Sequence, residues 1–241
     1  MRKKDTGQDT APKTGEAGEP GMKERILAAA RTVFSRHPYN AASLRMIGKE
    51  GGFFHPHIRY YFPTKARLFE AVVLECCRQY YDRNHLWLQG LDATRPEDGL
   101  SMYMDRLFEY HVENPEPLRI IMQNIVRTDT LESIPGYRHI PEVFSRIRQT
   151  FLEKIPLAGS PEEISMFFDG FNAVVINYLG ASSCHAQYLG MDPEGEEYRA
   201  WVKQCLMHQF LPWLKRLAGQ GRSAADADSG RIESKGTPAR N

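Results

Sequence analysis

The sequence predicts an all-α protein built from several amphipathic helices. Across residues 22–217 apolar side chains recur with the period of a helix, and no stretch shows the alternation of a half-buried strand. Pro and Gly residues divide this pattern into segments of helical length. Hydrophobic residues make up 41% of the 241-residue chain and charged residues 25%, an ordinary composition for a globular protein with its own core.

Four regions are expected along the chain. Residues 1–21 and 220–241 are rich in Gly, Ser, Ala, Pro and mixed charge, and they hold too few large apolar groups to offset the entropy of ordering. We therefore predict disordered tails at both ends. Residues 22–66 predict a compact unit of three short helices, and residues 67–219 predict a larger helical body.

The compact unit has clear helix boundaries. A first helix ends at His37-Pro38, because the residue before a proline disfavours the helical conformation. The second helix has Ser43 as a suitable N-cap and ends at Gly51-Gly52. A third helix covers residues 54–61, and Thr64 can cap a long fourth helix that enters the body.

The body shows five further helical segments. Residues 160–163, Ser-Pro-Glu-Glu, form a capping box with proline at the first helical position, so a long helix should begin there. Gly190 should end that helix, and Gly219 should end the last one. The expected helices are 100–112, 118–126, 141–155, 161–189 and 194–217, with a loop at 128–140.

Charge is divided unevenly between the unit and the body. Residues 22–70 carry nine Lys or Arg against three Glu, a net charge of +6. Residues 71–219 carry fourteen basic against twenty acidic groups, a net charge of −6. A basic unit joined to an acidic body favours a polyanion-binding module attached to a part that has another task.

Other classes of protein find little support. No run approaches the roughly 18 apolar residues of a membrane span, and the N-terminus lacks the apolar segment of a secretory signal. The four cysteines form no CxxC pair, which favours a reduced, cytoplasmic protein. Asp82 and His85 have the spacing of metal ligands or catalytic groups, but no second such pair supports them. We therefore expect neither an enzyme nor a metal site nor a cofactor.

Residues 43–61 have the pattern of a helix-turn-helix, whose second helix enters the DNA major groove. In that second helix and its flanks, Phe53, Ile58 and Phe62 are spaced to face the core. The residues on or near the outer face are His55, Pro56, His57, Arg59, Tyr60 and Tyr61. Their donor groups suit base edges and phosphates. The alternative, a small aromatic core, would not need the positive charge around it.

Residues 24–73 resemble the DNA-binding domain of the TetR family of transcriptional regulators. The matching features are the apolar spacing of the first helix and the patterns S-L-x-x-I-G-x-x-G-G, I-x-Y-Y-F and T-K-x-x-L-F. Residues 71–219 agree with the family in the number and order of helices but share no specific motif with it. The resemblance implies a homodimer on a palindromic operator, an inducer pocket among the middle helices, and a four-helix dimer bundle from the last two helices of each subunit.

The resemblance also implies roles for individual residues. Ser43 and Arg45 would contact a phosphate or a base edge from the second helix. The residues facing the major groove would be His55, Pro56, His57 and Tyr60, and those facing the DNA backbone would be Tyr61 and Lys65. Two alternatives stay open: Ser43 and Thr64 could be plain N-caps, and Arg59 could pair with Glu50.

Two groups of residues in the body are candidates for binding. The helices at 161–189 and 194–217 carry more apolar surface than one subunit can hide, so a second copy is the expected cover. The candidate dimer residues are Phe167, Phe171, Val174, Tyr178, Trp201, Phe210 and Trp213. The candidate pocket residues are Trp87, Tyr103, Phe108, His111, Met122 and Phe144, with core packing as the alternative for each.

The function expected from these features is DNA-binding regulation of transcription. We expect a repressor that binds double-stranded operator DNA as a homodimer and leaves it when an unidentified small molecule binds residues 71–219. In the alternative, thiol chemistry at Cys76-Cys77 or a protein partner switches the body instead.

Overall fold

The computed structural model of the chain describes residues 21–125 and 129–233, with side chains as far as residue 219. Within these ranges the chain forms ten α-helices and no strand, which confirms the predicted all-α class. The helices are α1 (Met22–Arg36), α2 (Leu44–Gly51), α3 (His55–Tyr61), α4 (Lys65–Trp87), α5 (Pro96–Glu113), α6 (Glu116–Ile125), α7 (His139–Lys154), α8 (Pro161–Gly180), α9 (Ser182–Leu189) and α10 (Glu196–Glu233). Of the two predicted tails, residues 1–20 and 234–241 lie outside the described residues.

The first four helices begin and end close to the positions expected from the sequence. The Ser43 hydroxyl accepts a hydrogen bond from the Met46 N–H at 3.3 Å, and the Thr64 hydroxyl accepts one from the Arg67 N–H at 3.1 Å. Both predicted N-caps are therefore confirmed. Gly52 ends α2 with a φ of 69°, a conformation that glycine adopts without strain.

The prediction of one continuous helix over residues 161–189 is wrong. α8 ends at Gly180 and α9 begins at Ser182, with a bend of 74° between them. Glycine and serine are weak helix formers, so a break at this point costs little free energy. The bend also brings Ala186 of α9 into the core, where its side chain is fully buried.

The last helix is longer than predicted. α10 continues through Gly219 to Glu233, so the helix end expected at Gly219 is wrong. A glycine inside a helix costs only about 1 kcal/mol relative to alanine. Three alanines lie between residues 223 and 228, and alanine is the best helix former.

Two hydrophobic cores organise the helices. The first joins α1, α2, α3 and the N-terminal half of α4, and it also contains Ile120 of α6 and Ile134 and Tyr137 from the loop before α7. The second joins the C-terminal part of α4 to α5, α7, α8, α9 and α10, and it also contains Leu118 of α6. Because α4 belongs to both, and because α6 completes the first, the packing of the N-terminal unit extends beyond residues 22–66.

Among the described residues, no single helix is long and apolar enough to cross a membrane. α8 and α9 taken together reach the length and composition required, with the 74° bend between them.

Candidate DNA-binding surface and ligand cavity

α3 has one buried side and one exposed side. Ile58 is fully buried and Phe62, directly after the helix, is 5% exposed. The side chains exposed to solvent are those of His55, Pro56, His57, Arg59, Tyr60 and Tyr61, the set that the sequence assigns to the outer face. Tyr60 is 82% exposed, a large aromatic surface left in water. The helix therefore offers rings and hydrogen-bond donors to a partner outside the chain.

The turn between α2 and α3 holds the two helices at close range. The Phe53 N–H donates to the Gly48 carbonyl at 2.8 Å. A Cβ on Gly48 would lie 2.8 Å from the Phe53 carbonyl oxygen, so any larger residue would push the turn away from α2. Arg25 lies over the Phe53 ring at 5.4 Å and links α1 to the same turn.

Phe54 is a candidate DNA contact that sequence reasoning missed. It occupies the N-cap of α3 without a capping hydrogen bond, and it is 77% exposed. Its ring lies edge to face with that of His57, 6.2 Å between centres. Apolar side chains at such positions can contact the methyl group of thymine. The signal in the sequence was a phenylalanine where Ser, Thr, Asp or Asn usually caps a helix.

Ser43, Arg45 and Arg59 are held in different ways. Ser43 is half-buried and occupied as the N-cap of α2, whereas Arg45 is exposed. Arg59 is also exposed and does not pair with Glu50, whose carboxylate lies 3.4 Å from Arg36 instead. The alternative pairing for Arg59 is therefore wrong.

Lys65 has a structural role that the sequence did not reveal. Its Nζ donates to the carbonyls of Tyr39 at 2.8 Å and Ala42 at 3.0 Å, and it lies 4.4 Å from the centre of the Tyr39 ring. Burial lowers the pKa of this ammonium from its usual value. An ammonium has three N–H donors, so one is left over for a phosphate. Lys65 thus fastens the connection between α1 and α2 to the start of α4.

A cavity of about 290 Å³ lies in the body between α4, α5, α7, α8 and α10. This volume is close to the lower end of the roughly 300–1,000 Å³ typical of ligand sites. The wall is mostly apolar, and its rings are those of Tyr103, Phe151, Phe167, Phe168 and Phe171. Its polar or charged residues are Asn84, Asp92, Thr94, Tyr103, Lys154 and Asn172.

Of the six predicted pocket residues, only Tyr103 lines this cavity. Trp87 and Phe108 are each 5% exposed and belong to the surrounding core. Phe144 lines a separate cavity of about 30 Å³ that also includes Cys76. The other five residues do not line this cavity, because a helical period of apolar residues does not distinguish a core side chain from a cavity wall.

His111 and Met122, the remaining two, lie beside the end of α8. A Cβ on Gly180 would lie 3.0 Å from the Cβ of Met122, so α6 and α8 approach each other closely here. His111 is half-buried and hydrogen-bonded to the backbone of Leu179. Burial, helped by the charge of Arg119, lowers the pKa of His111 to about 4.

Because of His111, we expect the free energy of unfolding to fall by about 2 kcal/mol between pH 7 and pH 5. In this window the unfolded chain takes up a proton on the imidazole, whereas the folded chain, with a pKa of about 4, does not. Acid therefore favours the unfolded state from about pH 6.5 downwards, and the loss levels off near pH 4. Urea unfolding at both pH values would measure the difference. His111→Gln should shrink it, and an unchanged difference would contradict the assignment.

Three of the predicted dimer residues are buried inside their own subunit. Phe167, Phe171 and Phe210 are 4%, 6% and 5% exposed. The Phe210 ring packs against those of Phe171 at 5.3 Å and Phe167 at 5.9 Å. These three residues are therefore not on the surface of the subunit, because the most apolar side of α8 packs against α10 of the same chain.

The other predicted dimer residues, Val174, Tyr178, Trp201 and Trp213, are partly buried. The Tyr178 ring lies 5.4 Å from the Trp201 ring and joins α8 to α10. α8 also exposes Met166, at 49%, and Ala173. These residues leave part of an apolar face in contact with solvent.

The surroundings of Cys76 and Cys77 bear on the alternative of thiol switching. Burial raises the pKa of the Cys76 thiol to about 12 and that of the Cys77 thiol to about 11. The thiolate is the reactive form, so both residues are nearly unreactive at neutral pH. Both are free thiols beside the small cavity, where they act as apolar packing groups.

Asp82 and His85 both lie on α4. Asp82 lies 3.4 Å from Arg78, and His85 is exposed. Over the part of the chain that the structure describes, no three His, Cys, Asp or Glu side chains are grouped to hold a metal ion.

Comparison with known proteins agrees with this N-terminal geometry. The family model described as "Bacterial regulatory proteins, tetR family" matches residues 26–72, from α1 into α4. The HTH-type transcriptional regulator RutR of Escherichia coli strain K12 is 29% identical over 108 residues, which are 43% of this chain and 48% of RutR. The chain thus spans about half the length of the curated relatives it matches.

Solved structures share the fold over most of the chain. A transcriptional regulator from Rhodococcus sp. Rha1 has a TM-score of 0.59 at 18% identity, covering 80% of this chain and 97% of its own. A tetR-family regulator from Streptomyces coelicolor has a TM-score of 0.56 at 15% identity, and the match covers 89% of this chain and 97% of the regulator. The regulator FadR from Bacillus subtilis, in complex with stearoyl-CoA, has a TM-score of 0.55 at 16% identity, and the match covers 76% of this chain and 96% of FadR. The family match and the helix-turn-helix of α2 and α3 together identify residues 26–72 as a segment of the tetR-family DNA-binding type, and the solved structures show that the rest of the chain shares the fold.

Proposed function

We propose that the chain is a repressor of transcription that binds a palindromic operator as a homodimer and leaves it when a small molecule enters the body. One observation carries the proposal: Ile58 is the only residue of α3 that is buried. A seven-residue helix with so little buried surface contributes little to stability, so its exposed rings and donors indicate binding. The net charge of +6 around it suits DNA phosphates.

In the proposed complex α3 lies in the major groove, which admits a helix. The residues directed to base edges are His55, Pro56, His57, Tyr60 and the exposed Phe54, and Arg59 lies at the edge of this set. The residues directed to the DNA backbone are Ser43, Arg45, Tyr61 and the free N–H of Lys65. Two copies of α3 would enter successive grooves about 34–36 Å apart, which requires a dimer.

The proposed dimer face is the outer side of α8 and α10. It consists of Met166, Ala173, Val174, Tyr178, Trp201 and Trp213, all of them partly or well exposed in one subunit. Apolar and small side chains on two adjacent helices suit a symmetric bundle with a second copy. Phe167, Phe171 and Phe210 are left out because a single subunit already buries them.

The proposed effector site is the 290 Å³ cavity. FadR from Bacillus subtilis, which shares the fold, was solved in complex with stearoyl-CoA, so a body of this kind can hold an acyl compound. In this chain Asn84 of α4 and Tyr103 of α5 line the cavity and share a hydrogen bond of 2.7 Å. α4 begins at Lys65 beside the DNA-binding unit, so a ligand that moves Asn84 acts on the helix that carries the unit.

A second route to the DNA-binding unit runs through α6. The backbone N–H of Tyr39 donates to the Asn124 side chain at 2.8 Å, and the Gln123 side chain donates to the Ser35 carbonyl. α1 and its following loop therefore rest on the C-terminal end of α6. Any shift of α6 would move the unit relative to the rest of the subunit.

The test of DNA binding starts with selection of bound sequences from a random pool of duplex DNA. Tyr60→Ala should then relax the preference at particular base pairs by roughly 1–3 kcal/mol each. Lys65→Ala should weaken binding to all sequences and reduce the slope of log affinity against log salt by about one unit. An Arg36→Ala variant, which removes an exposed charge outside the proposed contacts, is the control.

Failure to select any sequence would contradict the proposed function. A salt slope unchanged by Lys65→Ala would remove only Lys65 from the phosphate contacts and would leave its bonds to Tyr39 and Ala42 as its role.

A further inference from the structure

The cavity contains a positive charge that the protein does not neutralise. Lys154, the last residue of α7, lines the cavity and is half-buried. It forms no hydrogen bond and no ion pair with any described residue. An unpaired ammonium at the wall of a mostly apolar cavity can bind an anionic group of a ligand without breaking an existing ion pair. Such a site favours an anion.

The other polar groups of the wall do not cancel this charge. Asp92 is exposed, so water and salt screen its carboxylate. The Asn84 amide donates to the Tyr103 hydroxyl at 2.7 Å, and the Asn172 amide donates to the Phe168 carbonyl at 2.8 Å. Lys154 is therefore the group that offers both a charge and unused N–H donors to a ligand.

The rest of the wall determines what the anion must be attached to. The rings of Phe151, Phe167, Phe168 and Phe171 face the space together with aliphatic groups such as Leu100. The cavity of about 290 Å³ lies near the lower end of the range for ligand sites, so it admits a small molecule. A molecule of that size in apolar walls has to be largely hydrocarbon.

We propose that the ligand of this cavity is a small amphipathic acid whose carboxylate pairs with Lys154. Its apolar part, an alkyl chain or an aromatic ring system, lies among the phenylalanine rings. The inference rests on the proposed function only in treating this cavity as the effector site. A charge-assisted hydrogen bond to a carboxylate distinguishes an acid from an alcohol of the same length by roughly 10- to 100-fold in affinity.

Titration calorimetry on the full chain tests the pairing, with decanoate, decanol, decylamine and naphthoate as probes. Decanoate should bind at least tenfold more tightly than decanol, and decylamine more weakly than both. Lys154→Met should reduce decanoate affinity to that of decanol and leave decanol binding unchanged. Lys203→Met, which removes a positive charge elsewhere on the body, should leave the preference for the acid intact.

A second variant shows where the acid binds. Ala218 lines the cavity, so Ala218→Trp should fill it and abolish binding of both decanoate and decanol. The proposal is overturned if neither acid binds, if decanol or decylamine matches decanoate, or if Lys154→Met keeps the preference. If decanoate binds as expected but leaves the selected operator bound, the regulatory function fails while the pairing with Lys154 stands.

Discussion

Ala173→Glu should give a folded monomer, whereas Phe171→Glu should give no stable fold. Both residues lie on α8, two positions apart, but Ala173 is exposed and Phe171 is 6% exposed against Phe210. A glutamate at residue 173 stays in water in one subunit and loses its hydration only when a second copy covers the face. A glutamate at residue 171 enters the core, where loss of the ring alone costs about 3–5 kcal/mol.

Light scattering gives the mass of each variant, and thermal unfolding followed by circular dichroism gives its stability. The control is Val112→Glu, on the exposed side of α5, where the wild-type side chain is 54% exposed. It should leave both mass and melting temperature nearly unchanged. A dimer that persists in Ala173→Glu would place the subunit interface on another face. A folded monomer from Phe171→Glu would restore the buried side of α8 as the interface.

The DNA-binding unit was largely predictable because its determinants are local. Ser43 and Thr64 act as N-caps through hydrogen bonds to residues three positions later. The turn at Gly52 requires a positive φ, and the outer face of α3 follows from the positions of Ile58 and Phe62. Each of these features depends on a few neighbouring residues, so a sequence pattern reports it directly.

The body was less predictable because its determinants are distant in sequence. Tyr103 and Trp87 are both aromatic and at helical spacing, yet only Tyr103 reaches the cavity. That difference depends on how α5 packs against α8 and α10. Phe171 and Ala173 likewise share a helix but face opposite sides. The sequence indicates that α8 is apolar, whereas the neighbours of each face decide what it binds.

Gly180→Ala should weaken operator binding by roughly tenfold or more in the absence of any ligand. Residue 180 lies at the end of α8, whose Phe168 and Asn172 line the cavity. A Cβ there would lie 2.8 Å from the carbonyl oxygen of Leu118, so the backbone of α6 has to move. Because α6 holds the loop after α1 through Asn124, that movement displaces the DNA-binding unit while leaving its DNA-facing residues unchanged.

The matched control is Gly170→Ala on the same helix. Its Cβ would meet the Phe210 ring at 3.6 Å, an ordinary contact, so this variant should bind the operator like the wild type. Gel-shift titrations of both variants on the selected operator, with melting temperatures measured alongside, separate a displaced unit from an unfolded one. Wild-type operator affinity in a folded Gly180→Ala protein would exclude the α6 route and leave α4 alone to transmit the signal.

We expect ligand and operator to weaken each other by the same factor, roughly 30- to 150-fold for a coupling of about 2–3 kcal/mol. The reciprocity is a thermodynamic necessity, because the free energy of binding both partners does not depend on the order in which they bind. We expect the coupling to pass through a shift of α8 and α6 relative to α1. Decanoate titrated with and without operator measures the factor from one side, and operator titrated with and without decanoate measures it from the other. In Gly180→Ala the shift has already occurred, so the factor should fall towards one. A factor that stays at the wild-type value in this variant would mean that the ligand acts through Asn84 and α4, with α6 only as a support.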